Sequence, residues 1–518
     1  MTAQPIAQQP GREVPIIPAP GDGVTVLCAQ MFLAAMAGLA LRLLFVLLFP
    51  STAGDSDLYL QLGRNLADHH VYGLWSNGHL VPADLRMPGY PAYLAGVAIL
   101  FGRSMRAILL SQALLDLVTC FLTALLAAAL APSSAHRRVW LAGLWLAATC
   151  PFVANYSAVV LTETLVTFFT MAALACFILG LRQTPKELSL RTSPRQLTPF
   201  SLALLGAFLT GLATLLRPEM PLLMAVAGLL YVARWRGSLG LRKLALAALA
   251  MAGAFLLPLV PWAARNFVTL REVQVLSPRY ATMPGEYAPV GYYAWTKTWL
   301  ERYRDIYFSV WAIGEDPMSV DDIPSMEFDS PREKAHVAAL FEQYNQAPEM
   351  DISPEMDREF AEIAAERTRQ HPFRTYVRVP FERALTIWFT PRTELLPIDG
   401  KIWPLREQWQ DSHADVLTTA GFGALGYLYI ALAIAAIGFA WRAGRASGVS
   451  NLRDAPNLWG ILLVVAYLFA RTAFLTTVEA PEPRYVITCY PAVLALIALL
   501  FSSGSRRGSR EASNSQGS

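Results

Sequence analysis

The chain has 518 residues, of which 54% are hydrophobic and 16% are charged. This composition leaves too little polar surface for an ordinary soluble globular protein and predicts an integral membrane protein. The formal net charge of +3 is too small to indicate a nucleic-acid-binding protein. The five cysteines all fall in apolar runs, so their spacing predicts neither a disulfide framework nor a metal site.

Ten apolar segments are candidates to cross a bilayer. In chain order they are Val26–Phe49, Met105–Ala131, Val139–Tyr156, Thr164–Leu181, Phe200–Leu216, Met220–Ala233, Leu244–Ala264, Ala420–Trp441, Leu458–Val478 and Val486–Phe501. The residues before Val26 lack a basic stretch and a cleavage site, so the first segment is interpreted as an uncleaved span. Pro88–Phe101 is apolar but short, which is typical of a re-entrant or interfacial segment.

The basic loops favour the re-entrant interpretation of Pro88–Phe101. If that segment does not cross, the following connections all lie in the cytoplasm: His136–Arg138, Arg182–Arg195, Arg234–Lys243, Arg442–Arg453 and the tail with Arg506, Arg507 and Arg510. Both termini are then cytoplasmic. The same topology places seven polar features at the outer face: Asp55, Asp57, Arg86, Thr162-Glu163, Arg217-Pro218-Glu219, Arg265-Asn266 and Glu482–Tyr485. Polar groups that converge on one membrane face predict a functional site there.

The predicted domain organisation follows from these spans. Residues 1–24 form a cytoplasmic tail, 25–265 a transmembrane module with a catalytic first outer loop at 50–104, 266–413 an extracytoplasmic region, 414–502 C-terminal transmembrane helices, and 503–518 a second cytoplasmic tail. The extracytoplasmic region carries one clear helical stretch, Pro354–Gln370, with acids first and arginines last. Val377–Phe389 is a candidate to dock on the membrane. The aromatic residues of this region favour either a bilayer interface or a sugar-binding surface: Tyr292, Tyr293, Trp295, Trp299, Tyr303 and Trp311.

Each candidate site residue also has a purely structural interpretation. Asp55 precedes a stretch with Leu58, Leu62 and Leu66 at helical spacing, so it is an N-cap or a functional acid, and Asp57 is a first-turn acid. Glu163 follows Thr162 at the start of a span, where an acid also complements the helix dipole. The arginines of the spans either extend to the interface or bind phosphate. Arg42 lies close enough to the outer end of its span to extend there, and Arg471 is expected to point into the same cavity as Arg484.

Six short motifs in order resemble the dolichyl-phosphate-mannose-protein mannosyltransferase superfamily, which includes the aminoarabinose transferases. They are Asp55–Ala67, Arg86–Ala95, Leu161–Leu165, Gly211–Glu219, Pro261–Asn266 and Pro481–Tyr485. The resemblance implies the GT-C fold, an all-α polytopic membrane protein with about ten or more transmembrane helices. It implies interfacial helices in the first outer loop. It also implies that the protein lies in the plasma membrane of a prokaryote and that its active site is extracytoplasmic.

The resemblance also implies roles for individual residues. The acid that opens the first outer loop, here Asp55, is the candidate base, with Asp57 and Glu163 as further catalytic acids. The candidate phosphate-binding residues are Arg86, Arg217, Arg265, Arg471 and Arg484, and the candidate substrate-binding residues are Tyr59, Tyr90, Glu219, Glu482 and Tyr485. Asp-Ser-Asp replaces the Asp-Glu pair of many members, which leaves open whether Asp57 takes the second acid's role. It also leaves open whether a divalent metal ion binds Asp55, Asp57 and Glu163.

The function predicted in this way is transfer of a sugar from a polyprenyl-phosphate donor to a protein, lipid or polysaccharide acceptor. A carboxylate would deprotonate the acceptor, arginines would neutralise the leaving phosphate, and direct attack would invert the anomeric carbon. The alternative is a transporter or lipid-linked-sugar flippase, which predicts midplane sites and an internal repeat. No such repeat is visible in the sequence. A polysaccharide polymerase or ligase is a third interpretation, against which the ordered motifs argue.

Overall fold

The structure is a computed structural model that describes residues 23–183, 185, 188–189, 191–193, 196–280, 287–446 and 455–503. The predicted tails lie largely outside this part of the chain, as do parts of the basic loops at 182–195 and 442–453. The described residues are mainly helical. The α-helices are α1 (Gly23–Leu48), α2 (Ser56–His69), α3 (Gly89–Phe101), α4 (Met105–Leu130), α5 (His136–Ala148), α6 (Pro151–Tyr156), α7 (Glu163–Leu181), α8 (Pro199–Thr214), α9 (Pro221–Trp235), α10 (Leu241–Leu256), α11 (Val260–Leu270), α12 (Val290–Thr296), α13 (Ile306–Ser309), α14 (Pro331–Gln346), α15 (Pro354–Gln370), α16 (Val379–Phe389), α17 (Leu405–Asp411), α18 (His413–Ala446), α19 (Pro456–Leu475) and α20 (Tyr490–Ile497).

Seven helical segments within the described ranges are long and apolar enough to cross a membrane. They are Thr25–Leu48, Met105–Leu130, Glu163–Leu181, Leu241–Leu270, His413–Ala443, Pro456–Leu475 and Pro483–Ser502. The sequence prediction of an all-α polytopic membrane protein is therefore confirmed. Three of the ten predicted spans form shorter helices: Val139–Tyr156 is divided into α5 and α6, and α8 and α9 have 16 and 15 residues. Proline at the start of α6, α8 and α9 accounts for these boundaries, because it lacks the N–H that an interior helical position needs.

The predicted first outer loop, residues 50–104, contains two helices and a hairpin. Helix α3 has 13 residues, about 20 Å at 1.5 Å per residue, which is less than the hydrocarbon thickness of a bilayer. It packs closely on α2, where a Cβ on Gly63 would lie 2.9 Å from Leu94. Strands β1 (Gly73–Ser76) and β2 (His79–Pro82) form the hairpin, which the sequence analysis did not predict. The short strands β3 (Arg191–Ser193) and β4 (Gln196–Leu197) also pair antiparallel.

The region predicted to be extracytoplasmic, residues 266–413, has its own aromatic core. Helix α15 begins and ends at the predicted residues, and its Asp357 carboxylate accepts a hydrogen bond from the backbone N–H of Tyr292 at 2.8 Å. Tyr292, Trp295 and Trp299 are fully buried against this helix. Neither proposed role for these three aromatic residues is therefore correct, because a buried side chain contacts neither a bilayer nor a sugar. Trp311 is the exposed member of the predicted aromatic set, and its neighbour Tyr307, which is not in that set, is exposed as well.

Arg42 does not extend to the end of its span, as the sequence analysis expected. It is fully buried, and its Nε donates to the Asp116 carboxylate of α4 at 2.8 Å. Its remaining donors reach the carbonyls of Gly38 and Ala148 at 2.9 and 3.0 Å. A buried ion pair thus joins α1 to α4, and Asp116 was not recognised because it is a single acid within an apolar run.

Candidate active site

Helix ends and their connecting turns meet around one cavity of about 520 Å³. The end of α8, the turn before α9, the start of α2, the end of α19 and the turn at Pro483 all contribute to it. Seven residues that the sequence singled out line this cavity: Asp55, Tyr59, Arg86, Arg217, Glu219, Arg484 and Tyr485. Polar groups drawn from distant parts of the chain therefore converge at one end of the apolar helices.

Asp55 is the N-cap residue of α2, but its side chain makes no capping hydrogen bond. Its carboxylate instead accepts a hydrogen bond from Arg86 Nη2 at 2.7 Å. Burial alone would raise the pKa of the Asp55 carboxyl, but the guanidinium groups of Arg86, Arg484 and Arg217 outweigh burial and lower that pKa below its ordinary value. Asp55 is therefore an ionised carboxylate, partly open to the cavity.

Local backbone contacts hold this acid and its arginine in place. Ser56 donates to the Val160 carbonyl at 2.9 Å, which fixes the start of α2 to the segment before α7. Gly54 adopts a positive φ of 51°, a conformation that glycine favours, and Arg484 Nη1 lies 3.5 Å from where its Cβ would be. The Tyr72 hydroxyl donates to the Arg86 carbonyl at 2.8 Å. The hairpin that follows Tyr72 thus positions Arg86 opposite Asp55.

Arg217 is fixed by acids on two sides. Its Nη2 donates to the Glu163 carboxylate, its Nε donates to Thr162 Oγ1 at 3.0 Å, and its Nη1 lies 3.5 Å from the Glu219 carboxylate. Its guanidinium also lies 5.3 Å from the centre of the Tyr485 ring. Glu163 is buried below the cavity surface, and its Oε2 has no hydrogen-bond partner among the described residues. Glu163 therefore orients Arg217 rather than lining the cavity itself.

Arg471 and Glu482 support the cavity wall in the same way. Arg471 is fully buried and donates to the Glu219 carboxylate at 3.1 Å and to the Tyr485 carbonyl at 3.2 Å. Burial would raise the pKa of Glu219, but Arg471 and Arg217 outweigh it and lower that pKa. Glu482 accepts hydrogen bonds from Arg484 at 3.2 Å and from the Tyr485 hydroxyl at 2.8 Å. Arg471 and Glu482 therefore do not line the cavity, but they position residues that do: Glu219, Arg484 and Tyr485.

Besides Glu163, Arg471 and Glu482, three more predicted site residues lie outside the cavity. Asp57 is exposed, and its carboxylate makes no hydrogen bond or ion pair with a described residue. Tyr90 is buried and donates to Gln112 Oε1 at 2.7 Å. Arg265 donates to the carbonyls of Ala83 and Tyr72 beside the hairpin, and its guanidinium stacks on the Tyr72 and Trp262 rings. These contacts give Tyr90 and Arg265 structural roles in this arrangement.

A second charged group, which was not predicted from the sequence, lies on the cavity rim. Arg279 and Glu479 both line the cavity, and Glu479 accepts hydrogen bonds from Arg279 at 3.2 Å and from Lys297 at 2.6 Å. Glu479 precedes the motif that starts at Pro481 by two residues, so extending that motif would have included it. Arg279 and Lys297 belong to no motif, because only the folded chain brings them to Glu479.

The acids implied for a divalent metal ion do not form a ligand set. Asp55 is paired with Arg86, Glu163 with Arg217, and Asp57 lies apart from both. Within the described ranges, no three histidine, cysteine or acidic side chains are grouped so that they could hold a metal ion. Each of the three carboxylates that line the cavity, Asp55, Glu219 and Glu479, is instead paired with an arginine.

No known family model and no curated protein matches this chain. Among solved structures it is similar to the Archaeoglobus fulgidus oligosaccharyltransferase tethered to an acceptor peptide, with 15% identity and a TM-score of 0.46, over 91% of this chain and 49% of that one. It is also similar to ArnT from Cupriavidus metallidurans bound to undecaprenyl phosphate, with 14% identity and a TM-score of 0.36, over 88% and 78% of the two chains. Both neighbours are GT-C glycosyltransferases, the class that the sequence motifs resemble. The chain spans about half the length of the oligosaccharyltransferase. At these identities and TM-scores, neither likeness carries residue roles or substrates over to this chain.

Proposed function

We propose that this chain is a membrane glycosyltransferase that moves a sugar from a polyprenyl-phosphate donor to an acceptor at the extracytoplasmic face. The observation that carries the proposal is the Asp55–Arg86 pair, which opens on a cavity with further guanidinium groups at the end of apolar helices. A carboxylate and cations around one cavity are what group transfer from a phosphate requires: a base for the acceptor and a neutralising environment for the leaving group.

The charge balance of the cavity favours a phosphate with a single negative charge. Four arginines line it, namely Arg86, Arg217, Arg279 and Arg484, against the three carboxylates of Asp55, Glu219 and Glu479. The lining therefore carries one excess positive charge. A sugar joined to a polyprenyl chain through one phosphate is a phosphodiester with one negative charge. Arginine suits this role because its planar guanidinium presents paired donors to phosphate oxygens.

The apolar part of the same cavity fits the first isoprene units of such a donor. Leu276, Phe474, Leu475 and Val478 line it. Burial of isoprene carbon against these side chains would contribute to donor binding. The predicted loop charges place this end of the helices outside the cytoplasm, with both termini inside.

Arg86 has two acceptors for its guanidinium in this scheme: the Asp55 carboxylate and the donor phosphate. A phosphate that draws hydrogen bonds from Arg86 weakens the Asp55–Arg86 pair and makes Asp55 a stronger base. The acceptor oxygen or nitrogen then attacks the anomeric carbon, the bond from that carbon to the phosphate oxygen breaks, and the acceptor proton passes to Asp55. Polyprenyl phosphate leaves with the bond electrons, and the anomeric configuration inverts.

The proposal is tested by transfer assays with the purified protein in lipid nanodiscs. Radiolabelled polyprenyl-phosphate sugars, undecaprenyl-phosphate sugars among them, are offered with membrane acceptors. We expect labelled sugar to appear in an acceptor and polyprenyl phosphate to be released in equal amount. In proteoliposomes, movement of intact labelled donor across the bilayer without its consumption would instead identify a transporter.

We expect the Arg86→Gln variant to move the acid limb of the pH profile of kcat/KM to higher pH. Arg86 holds the pKa of Asp55 below its ordinary value, so Asp55 stays ionised to a lower pH than an ordinary aspartate does. Without Arg86, burial pushes that pKa upward and Asp55 is protonated at a higher pH. The measurement is kcat/KM between pH 3.5 and 8, a range set by the ordinary carboxyl pKa of about 4. An unchanged acid limb in an active variant would remove Asp55 from the role of base.

We expect Arg217→Gln to lower kcat/KM by about 10- to 100-fold, because one charge-assisted hydrogen bond to phosphate contributes about 1.5–3 kcal/mol. Arg217→Lys keeps the charge but loses the paired donors, so its loss should be smaller. Arg64→Gln is the matched control, since Arg64 is exposed on α2 and does not line the cavity. Equal activity of wild type and Arg217→Gln would contradict a contact with the donor phosphate.

A further inference from the structure

An exposed apolar face runs along the extramembrane region just before the C-terminal helices. It is formed by a π-helical turn, Arg374–Arg378, and by α16, which continues it. Five large apolar side chains on this segment are strongly exposed: Phe373 (70%), Tyr376 (71%), Val377 (49%), Phe381 (63%) and Leu385 (41%). We call these five residues the α16 face. In a soluble region, so many adjacent exposed apolar side chains mark an interaction surface.

The α16 face is one side of an amphipathic helix. Phe373, Val377, Phe381 and Leu385 follow one another at intervals of four residues, so they form a single stripe. The opposite side carries Val379, Arg383 and Ile387, which are all buried in the protein. From Phe373 to Phe389, Arg378 is the only exposed residue that is polar. The outward side of the segment is therefore almost wholly apolar, although this part of the chain lies outside the candidate spans.

Contacts with α19 fix the level of this face relative to the candidate spans. Arg383 donates to the carbonyls of Thr476 and Val478 at 3.1 and 2.8 Å, directly beyond the last residue of α19. One turn further on, Trp388 Nε1 donates to Thr472 Oγ1 in the last turn of α19 at 3.0 Å. Phe381 and Leu385 flank Arg383 on α16, so they lie where the span Pro456–Leu475 leaves the membrane.

The face is also continuous with side chains that the spans would present to lipid. The Phe389 ring lies 5.4 Å from the Tyr427 ring of α18, and Tyr427 is itself half exposed. Further along α19, Phe469 is 74% exposed. Aromatic side chains at the ends of spans are typical of the boundary between hydrocarbon and headgroups, where an apolar ring and a polar edge are both accommodated.

We propose that the α16 face lies on the bilayer at the headgroup level, as an interfacial helix of the same membrane that α18 and α19 cross. The driving force is burial of the five apolar side chains rather than charge, because Arg374 and Arg378 are already paired with Asp329 and Glu382. The proposal does not depend on the reaction that the cavity catalyses.

Docking of this face has a consequence for the cavity. Thr477 and Val478 line the cavity, and Arg383 holds the carbonyls on either side of Thr477. A helix that is seated on the bilayer therefore holds this wall of the cavity at a constant depth relative to the membrane. That constraint suits a cavity whose ligand is itself anchored in the lipid.

The test is the depth of spin labels placed on the face. Phe381→Cys and Tyr376→Cys are made in a Cys28→Ser background, labelled with a nitroxide and reconstituted in phosphatidylcholine nanodiscs. Cys28 is replaced because it is an exposed cysteine, and Gln343→Cys on the exposed side of α14 is the matched control. Collisions with oxygen, which partitions into lipid, are compared with collisions with a water-soluble nickel chelate.

We expect oxygen to be favoured over nickel at positions 381 and 376 and nickel to be favoured at position 343. Two independent labelled sites guard against the local disturbance of a single substitution. If both sites are as open to the nickel chelate as Gln343→Cys, the face is in water and the proposal is wrong. If they are closed to both reagents and show label-to-label broadening, a second copy of the chain covers the face, which also overturns the proposal.

Discussion

Replacing Asp55 by asparagine is expected to reduce sugar transfer by about 10²- to 10⁴-fold, the usual contribution of a general base. Asparagine keeps the size of the side chain and can still accept a hydrogen bond from Arg86, but it cannot take the acceptor's proton. Because the Asp55 side chain makes no capping hydrogen bond to α2, the loss should not come from unfolding of that helix. Donor binding should remain, since the guanidinium groups of Arg217 and Arg484 are unchanged.

The comparison requires both transfer and binding in the same nanodisc preparation. Single-turnover transfer of a radiolabelled sugar measures the chemical step, and retention of labelled donor measures binding. Asp57→Asn is the matched control, because Asp57 is two residues away, exposed and outside the cavity. If Asp57→Asn loses activity while Asp55→Asn keeps it, the base is Asp57 and the cavity would have to rearrange when substrates bind.

The sequence predicted the ends of helices better than the contacts between them. Asp55, Arg217 and Arg484 each lie where an apolar run meets a polar stretch, and the predicted topology put all three at one membrane face. The structure brings them to a single cavity. Hydropathy and loop charge are sufficient for this result, because they determine which end of each helix shares a side of the membrane.

The sequence does not predict which acid of the site pairs with which arginine. Arg86 lies 31 positions from Asp55, and Arg471 lies 252 positions from Glu219, so no local pattern indicates either contact. Arg265 occurs in a motif of the same kind as Arg217, yet it binds carbonyls beside the hairpin instead of lining the cavity. A flanking arginine has the same sequence signature in both situations, and only its partners distinguish them.

The β1–β2 hairpin was not predicted, although the sequence contains a local turn signal for it. Asn77 and Gly78 join β1 to β2, and both have positive φ angles, of 49° and 77°. An Asn-Gly pair between short apolar segments is the strongest short-range indication of a two-residue hairpin. The hairpin was overlooked because the strands have only four residues each, within a chain whose composition predicts helices. It matters for the site, because the adjacent Tyr72 holds the backbone of Arg86.

The second large effect is expected at the buried ion pair between α1 and α4. Arg42→Met should destabilise the protein by about 3–5 kcal/mol, because it leaves the Asp116 carboxylate buried without its counter-charge. Both side chains are almost completely inaccessible to solvent, so water cannot take the place of the guanidinium. The same loss is expected for Asp116→Leu, which strands the guanidinium among the carbonyls of Gly38 and Ala148.

The double variant, Arg42→Met with Asp116→Leu, separates the cost of a stranded charge from the value of the pair itself. With both charges removed, we expect the midpoint of unfolding in nanodiscs to return close to that of the wild type, since apolar replacements for a buried pair are often neutral or stabilising. Full additivity of the two single losses would contradict direct coupling between the side chains. Because Arg42 and Asp116 do not line the cavity, folded double variant should retain sugar transfer. The pair would then be a structural link between two spans rather than part of the reaction.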